Sequence, residues 1–192
     1  RVLFRSFPML TWITLVLVNL SVWSMSTMRE PRSTLVRVSL RAELWRAHNR
    51  WFFITLFFHV LAHVAMYSFY SLYLDSLGYS KAVIGALWAL SVAVEVLGFW
   101  TQGRWLGRLS SSRWVLVAAG VLVLRMGLIA AGSQHLWVLA LAQILHIITF
   151  AIHHTVCISW LSKHFHGPLR GRGQAMYSVI GYGATGFLGA FG

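Results

Sequence analysis

Residues 79–100 decide the fold of this chain, and they read YSKAVIGALWALSVAVEVLGFW. The segment begins with a turn and continues as an apolar run of about 20 residues, the length that crosses a hydrocarbon core of about 30 Å as a helix. Glu95 lies inside this run. An ionisable side chain at that depth costs about 2.5 kcal/mol or more, so it generally sits beside a partner or a water-filled path. The segment therefore predicts a membrane-spanning helix that carries one member of a functional site.

The composition of the whole chain is that of a membrane protein. Hydrophobic residues make up 58% of its 192 residues and charged residues 10%, whereas soluble domains carry about 25% charged residues. The net charge is +12, but the basic residues lie in short loops between apolar segments. This distribution excludes a nucleic-acid-binding face. Cys157 is the single cysteine, which excludes an internal disulfide.

Six apolar runs predict an all-α membrane protein with six transmembrane helices. They cover residues 7–26, 51–74, 82–101, 115–132, 137–160 and 173–192. A basic linker at residues 27–50 contains Pro31, which disfavours a continuous helix there. Because the chain begins without Met and stops inside an apolar run, we expect it to be part of a longer protein. Its first six residues resemble translated sequencing adapter and carry little weight.

The loops between these runs predict the orientation of the chain. Lys and Arg number six, three and three in loops 27–50, 102–114 and 162–172, against one and none in loops 75–81 and 133–136. By the positive-inside rule the basic loops lie in the cytoplasm. We therefore expect a multi-pass protein of the inner (cytoplasmic) membrane of a bacterium.

Glu95 is the one acid and Arg125 the one base within the predicted spans. They lie about 9 Å and about 15 Å from the cytoplasmic ends of their predicted helices, and could approach one another if the helices tilt. A buried structural ion pair is one interpretation. The interpretation that we favour is an ion or substrate site, the usual role of ionisable residues at this depth.

Histidines accompany the charged pair on two other spans. His59 and His63 share one helical face, and a second stripe contains Gln143, His146, Phe150, His153 and Cys157. Three roles remain open: lining a hydrated cavity that binds substrate or relays protons, forming interhelical hydrogen bonds, and binding a metal or haem. We favour the first role for His146, which would relay protons, and for His63, which with Gln143 would contact substrate. We assign His59, His153 and His154 to interhelical hydrogen bonds.

Aromatic rings line the same region of the predicted bundle. Tyr67, Tyr70 and Trp88 could stack on the ring of a substrate or simply pack between helices. Together with the cation of Arg125 they suit an aromatic carboxylic acid. A sugar or a nucleoside would suit the same lining, and a histidine-bound metal or haem enzyme is the alternative from another class.

Short motifs spread over residues 51–192 resemble the C-terminal half of the major facilitator superfamily, in its phenylpropionate-permease-like branch, which is related to the lactose and oligosaccharide proton symporters. The motifs are Ala62-His63, Leu72-Tyr73-Leu74, Leu77-Gly78-Tyr79-Ser80, Ile84-Gly85, Leu87-Trp88, Val94-Glu95, Leu124-Arg125, Leu145-His146 and Gly173-Gln174-Ala175-Met176-Tyr177. The resemblance implies that residues 1–26 are the end of the N-terminal half of a twelve-helix fold and contain its helix six. Residues 27–50 would form the central cytoplasmic loop, and residues 51–192 would be helices seven to eleven. The missing N-terminal half and last helix would then be partners of this chain.

The resemblance also implies an activity. Glu95, Arg125 and His146 match acidic, arginine and histidine positions of lactose permease that serve proton coupling and substrate affinity. The match is partial, because a second carboxylate of lactose permease corresponds to Thr149 here. We expect a secondary transporter, not an enzyme, that needs no cofactor and couples protons to a small organic solute such as an aromatic carboxylic acid.

Overall fold

The computed structural model describes residues 39–189, and all regular structure in this part of the chain is helical. The α-helices are α1 (Leu40–Trp45), α2 (Ala47–Ser76), α3 (Lys81–Trp105), α4 (Ser111–Gly132), α5 (Leu136–Ile144), α6 (His153–His164), α7 (Leu169–Ser178) and α8 (Thr185–Gly189). A 3₁₀ turn, Leu106–Arg108, follows α3. A first π-helical turn, Ile147–Ile152, joins α5 to α6, and a second, Val179–Ala184, joins α7 to α8.

Four helical segments are long and apolar enough to cross a membrane: Ala47–Ser76, Lys81–Arg108, Ser111–Gly132 and Leu136–His164. Each overlaps one of the four central predicted runs. Three of them extend past both predicted ends, whereas Ser111–Gly132 extends past the predicted start alone. The predicted span at residues 7–26 lies outside the described residues. Residues 169–189 are helical but are not among the four candidate spans, so the sixth span stays a prediction.

The basic linker and the second basic loop contain more helix than the sequence predicts. Helix α1 and the start of α2 occupy the end of the predicted linker, while residues 27–38 lie outside the described part. Of the predicted loop at residues 102–114, just residues 109–110 separate the 3₁₀ turn from α4. Arginine is a good helix former, so these segments extend the spans helically beyond their apolar runs.

Short polar motifs set the connections between spans. Helix α2 ends in a Schellman motif, in which the Tyr79 N–H bonds to the Leu74 carbonyl oxygen at 3.1 Å and the Gly78 N–H to the Asp75 carbonyl oxygen at 2.9 Å. Gly78 has φ +84°, a conformation that requires glycine at this position. The Ser80 hydroxyl then caps α3 by accepting from the Val83 N–H.

The Leu136–His164 span is the most buried of the four and packs against both α3 and α4. Two apolar clusters form around it. The cluster at the basic end, where α2 begins and α6 ends, is Phe52, Phe53, Leu56, Val60, Cys157, Leu161, Phe165, Leu169 and Tyr177. The cluster at the opposite end is Met66, Tyr70, Leu74, Ile84, Leu87, Ile129, Leu139 and Ala142. Buried polar side chains occupy the level between these clusters along α2, α4 and the Leu136–His164 span.

Gly98 allows α3 to approach the first π-helical turn closely. A Cβ atom at this position would lie 2.8 Å from Ile147 Cγ1 and 2.9 Å from Ala151 Cβ. Because Gly98 follows Glu95 by about one helical turn, this approach also brings Glu95 against the same span. Small residues serve this purpose in membranes, where helix association depends on close packing.

We expect Gly98→Ala to lower the free energy of unfolding by about 1–3 kcal/mol, because the helices must separate to admit the methyl group. The measurement is thermal unfolding of the purified protein in detergent. Gly85→Ala is the matched control on the same helix, where a Cβ atom would meet nothing within 4 Å. Equal melting temperatures for the two variants would contradict the close contact.

Candidate functional site

Arg125 is the largest fully buried side chain of the described part, and four acceptors surround its guanidinium. Its Nε donates to the Ala142 carbonyl oxygen at 2.8 Å, and its Nη2 donates to Gln143 Oε1 at 2.9 Å. Its Nη1 lies 2.8 Å from His146 Nδ1 and 3.4 Å from Thr149 Oγ1. Arg125 of α4 therefore packs against α5 and the first π-helical turn. Hydrogen bonds to these segments replace those that the guanidinium would make with water.

The contact with Arg125 defines the tautomer of His146. A guanidinium can donate hydrogen bonds but cannot accept them, so Nδ1 of His146 is the acceptor and its hydrogen lies on Nε2. Nε2 is 2.6 Å from Glu95 Oε1, a short contact that suits donation to a carboxylate. His146 thus links the acid of α3 to the base of α4.

Glu95 and Arg125 are connected through this imidazole; within residues 39–189 they do not form an ion pair of 4.0 Å or less. The sequence predicts their proximity, and the structure adds the bridging residue. The Glu95 side chain keeps 21% of its surface exposed while that of His146 keeps 1%. The acid therefore forms the accessible side of the network and the guanidinium its buried side.

Two predicted aromatic residues border the accessible side. The Tyr67 hydroxyl lies 3.2 Å from His146 Nε2, and its side chain is 40% exposed. The Trp88 ring is 5.7 Å from the Tyr67 ring, and its indole N–H donates to Ser71 Oγ at 2.9 Å. Glu95, Tyr67 and Trp88 thus form a half-open surface with one carboxylate, one hydroxyl and aromatic faces.

Tyr70 and Gln143 lie deeper than a substrate could reach in this conformation. Tyr70 is 3% exposed, packs edge-on against Trp88 at 5.5 Å and belongs to the apolar cluster at the opposite end. Gln143 is fully buried and orients Arg125. The Tyr70 hydroxyl and Gln143 Nε2 have no hydrogen-bond partner among the described residues.

Thr149 is the site residue that sequence reasoning missed. It is fully buried, and its Oγ1 lies 3.3 Å from His63 Nε2, 3.4 Å from His146 Nδ1 and 3.4 Å from Arg125 Nη1. The signal was its spacing, because Thr149 follows His146 by three residues and so shares its helical face.

His63 joins the network through Thr149. Its Nδ1 lies 3.0 Å from the His59 carbonyl oxygen, which can only accept, so its hydrogen lies on Nδ1 and its Nε2 accepts from the Thr149 hydroxyl. The structure therefore brings together Glu95, Arg125, His146, His63, Tyr67, Trp88, Tyr70 and Gln143, the eight residues that the sequence predicts for the site. It separates them into an accessible part and a buried part.

The described residues contain no group of three or more His, Cys, Asp or Glu side chains placed to hold a metal ion. The chemistry that this arrangement can perform is proton exchange. The Glu95 carboxyl group and the His146 imidazole, in hydrogen-bond contact, can hold or pass on a proton, and the guanidinium of Arg125 fixes the imidazole from behind.

Four membrane-length helices packed around a half-open polar site indicate an integral, multi-pass membrane protein. Residues 3–192 match the model of the MFS_1 like family, and the chain belongs to this family of the major facilitator superfamily. This family is one of membrane transporters.

One relative is the probable 3-phenylpropionic acid transporter of Escherichia coli (strain K12), which is 33% identical to the chain over 124 residues. The aligned part is 65% of this chain and 32% of the relative, so the chain spans about a third of the curated protein that it matches. No solved structure gives a significant match.

Proposed function

We propose that this chain is the C-terminal part of a proton-coupled symporter that carries a small aromatic carboxylic acid across the cytoplasmic membrane of a bacterium. The observation that carries the proposal is the 2.6 Å contact between Glu95 Oε1 and His146 Nε2, with Arg125 on the far side of the imidazole. Similarity to a probable 3-phenylpropionic acid transporter supports this substrate class. The twelve basic residues in alternate loops support the orientation.

Coupling follows from the position of the carboxylate. With Glu95 ionised, the half-open surface carries a negative charge and repels a substrate carboxylate. Two unit charges about 4 Å apart repel one another by about 4 kcal/mol at an effective dielectric constant near 20. A proton on the Glu95–His146 pair removes this repulsion, so an anion and a proton bind together. Alternating access between two six-helix halves would then carry both across the membrane.

In this mechanism Arg125 acts through His146. Its donors are directed to Ala142, Gln143 and His146, and no part of its side chain is exposed. It positions the imidazole and adds positive charge behind it. Direct contact between Arg125 and the substrate carboxylate stays a prediction, because it requires a conformation other than the one described.

Tyr67 and Trp88 would supply the aromatic face of the binding site. Their rings lie 5.7 Å apart beside Glu95 on the accessible side. Such rings hold a phenyl group by offset or edge-on stacking. Tyr70 would support Trp88 from behind without reaching the substrate.

The test is proton movement in weakly buffered proteoliposomes that contain the full-length transporter. We expect addition of 3-phenylpropanoate to make the outer medium more alkaline, with proton consumption matching the uptake of labelled substrate. Labelled sugar and nucleoside serve as parallel additions that should give neither signal. Accumulation of 3-phenylpropanoate that is unaffected by a protonophore would contradict proton coupling.

A further inference from the structure

The buried polar network continues past the Glu95 site toward the basic end of the bundle. His59 and His153 stack with ring centroids 3.7 Å apart and an interplanar angle of 12°, and each is 4% exposed. The coupling mechanism described above uses neither residue. Because buried imidazoles are costly unless hydrogen-bonded, their placement in contact with the site calls for an explanation.

His59 has one engaged nitrogen and one without a partner. Its Nε2 lies 2.7 Å from the Thr149 carbonyl oxygen, so this nitrogen carries the hydrogen. Its Nδ1 has no hydrogen-bond partner among residues 39–189. His59 therefore offers a buried lone pair that could accept a proton.

A continuous series of contacts links this lone pair to the coupling site. The Tyr67 hydroxyl lies 3.2 Å from His146 Nε2, and Tyr67 lines the same cavity as His59. The first interval is within reach of a hydrogen bond, and water bridges the second one, from the Tyr67 hydroxyl to His59 Nδ1.

A cavity of about 70 Å³ lies at this interval. Its lining is His59, Val60, His63, Val64, Tyr67, Thr149, Phe150, His153, His154 and Tyr182. The cavity is large enough to hold water. Most of its lining surface is apolar, but His59 Nδ1 is buried without a partner among residues 39–189, and an ordered water is the usual partner of such an atom.

Both π-helical turns border this cavity. Thr149 and Phe150 belong to the first turn, and Tyr182 belongs to the second. Such turns occur frequently at functional sites, where the extra residue redirects side chains and backbone groups. Tyr67 and Tyr182, 40% and 42% exposed, lie at its accessible side.

The position of the histidine pair gives the route a direction. Helix α2 starts at the basic end, so His59 lies about 6 Å closer to that end than His63, and His153 lies about 10 Å closer than His146. In this conformation the apolar cluster of the basic end separates the pair from the cytoplasmic side, so release of the proton there belongs to the inward-open state of alternating access. The cavity is thus the polar continuation that the described residues provide on this side of Glu95.

We propose that this cavity holds water and that His59, stacked on His153, is a second proton site through which the coupling proton leaves toward the cytoplasm. The proposal rests on the proposed function, since it assigns the exit of the proton that Glu95 and His146 take up. The Nε2 proton of His146 passes to the Tyr67 hydroxyl, 3.2 Å away, while the proton held by Glu95 moves to His146 Nε2. The Tyr67 hydroxyl proton passes through a cavity water to His59 Nδ1. The Glu95–His146 pair is left as the structure shows it.

Several other groups face the pair and influence its protonation. From the Leu136–His164 span these are His154 and the Cys157 thiol, which lies 3.6 Å from His153 Nε2. From α2 the group is His63, and from the second π-helical turn it is Tyr182. Arg125 and His146 act from one layer further away, across Thr149.

The test uses two variants that preserve packing and cannot carry a proton. In His59→Gln the amide can still donate to the Thr149 carbonyl oxygen, and in His153→Phe the ring can still stack on His59. We expect each to slow net proton-driven uptake by about 10-fold or more, as loss of a proton-transfer group does. The solvent isotope effect in D₂O should rise, because proton release becomes rate-limiting. Exchange of labelled for unlabelled substrate, which needs no net proton release, should remain near the wild-type rate.

His135→Gln is the control, since His135 is exposed in the short loop before α5 and distant from the cavity. Wild-type uptake and isotope effect in both variants would overturn the proposal, as would equal slowing of exchange and net uptake, which marks a structural role. Absence of substrate-linked proton movement in the wild type would overturn the proposed function and this inference together. Proton movement in the wild type with unaffected variants would overturn the inference alone.

Discussion

Glu95→Gln should abolish proton-driven accumulation of substrate while leaving exchange measurable. The glutamine oxygen can still accept the Nε2–H of His146, which lies 2.6 Å from the present carboxylate oxygen, so the site keeps its geometry. The amide cannot take up a proton, so substrate binding is no longer accompanied by proton binding at position 95. We expect uphill uptake to fall by at least about 100-fold, within the range for loss of a proton-transfer group. The measurement is labelled-substrate uptake and counterflow in the same proteoliposomes.

Glu43→Gln is the matched control for this variant. Glu43 is also largely buried, but it pairs with Arg46 at 3.1 Å and accepts from Asn49 at the basic end of the bundle, away from the site. It should leave accumulation unchanged. Uphill uptake that survives in Glu95→Gln would exclude this carboxylate as the carrier of the coupling proton.

The spans and the charged members of the site could be predicted from sequence because membranes impose strong constraints. An apolar run of about 20 residues has few alternatives to a spanning helix, since backbone groups in lipid must bond internally. The same constraint makes Glu95 and Arg125 conspicuous, and the spacing of Gln143 and His146 places them on one face. The structure brings these residues together.

The depth of each side chain could not be predicted in the same way. A membrane helix is apolar on its lipid side and on its protein side, so the pattern along α2 does not distinguish the side of Tyr70 from that of Tyr67. The structure packs Tyr70 in the core at 3% exposure and leaves Tyr67 at 40%. A buried and a half-exposed tyrosine three residues apart cannot serve a substrate equally.

Thr149 shows a second limit of sequence reasoning. Threonine is unremarkable in a membrane helix, and its position is notable mainly for lacking the second carboxylate of lactose permease. Its role depends on contacts with α2 and α4, which spacing along one helix does not reveal. The periodicity of the sequence likewise gives no indication of the π-helical turn at Ile147–Ile152.

Arg125→Lys should lower both stability and transport although the charge is retained. The guanidinium reaches Ala142, His146 and Gln143 with three different nitrogens at 2.8, 2.8 and 2.9 Å. A lysine has one nitrogen on a flexible stem and cannot span these acceptors. Each buried acceptor left unpaired costs about 1–3 kcal/mol, so the melting temperature in detergent should fall. Uptake should fall by about 100-fold because the imidazole loses the partner that holds its tautomer, an effect typical of misplaced acid–base groups.

The substrate used in the assay separates the two roles that Arg125 could have. If it positions His146, Arg125→Lys will impair exchange of 3-phenylpropanoate and of its neutral amide alike, and will alter the pH profile of uptake. If it binds the carboxylate directly, the amide will be exchanged at the wild-type rate and the loss will be confined to the acid. Arg113→Lys, at an exposed position near the start of α4, controls for the substitution itself and should change neither property. Wild-type stability and uptake in Arg125→Lys would show that the four contacts of this guanidinium do not maintain the site. Other contacts would then have to hold the His146 imidazole against Glu95.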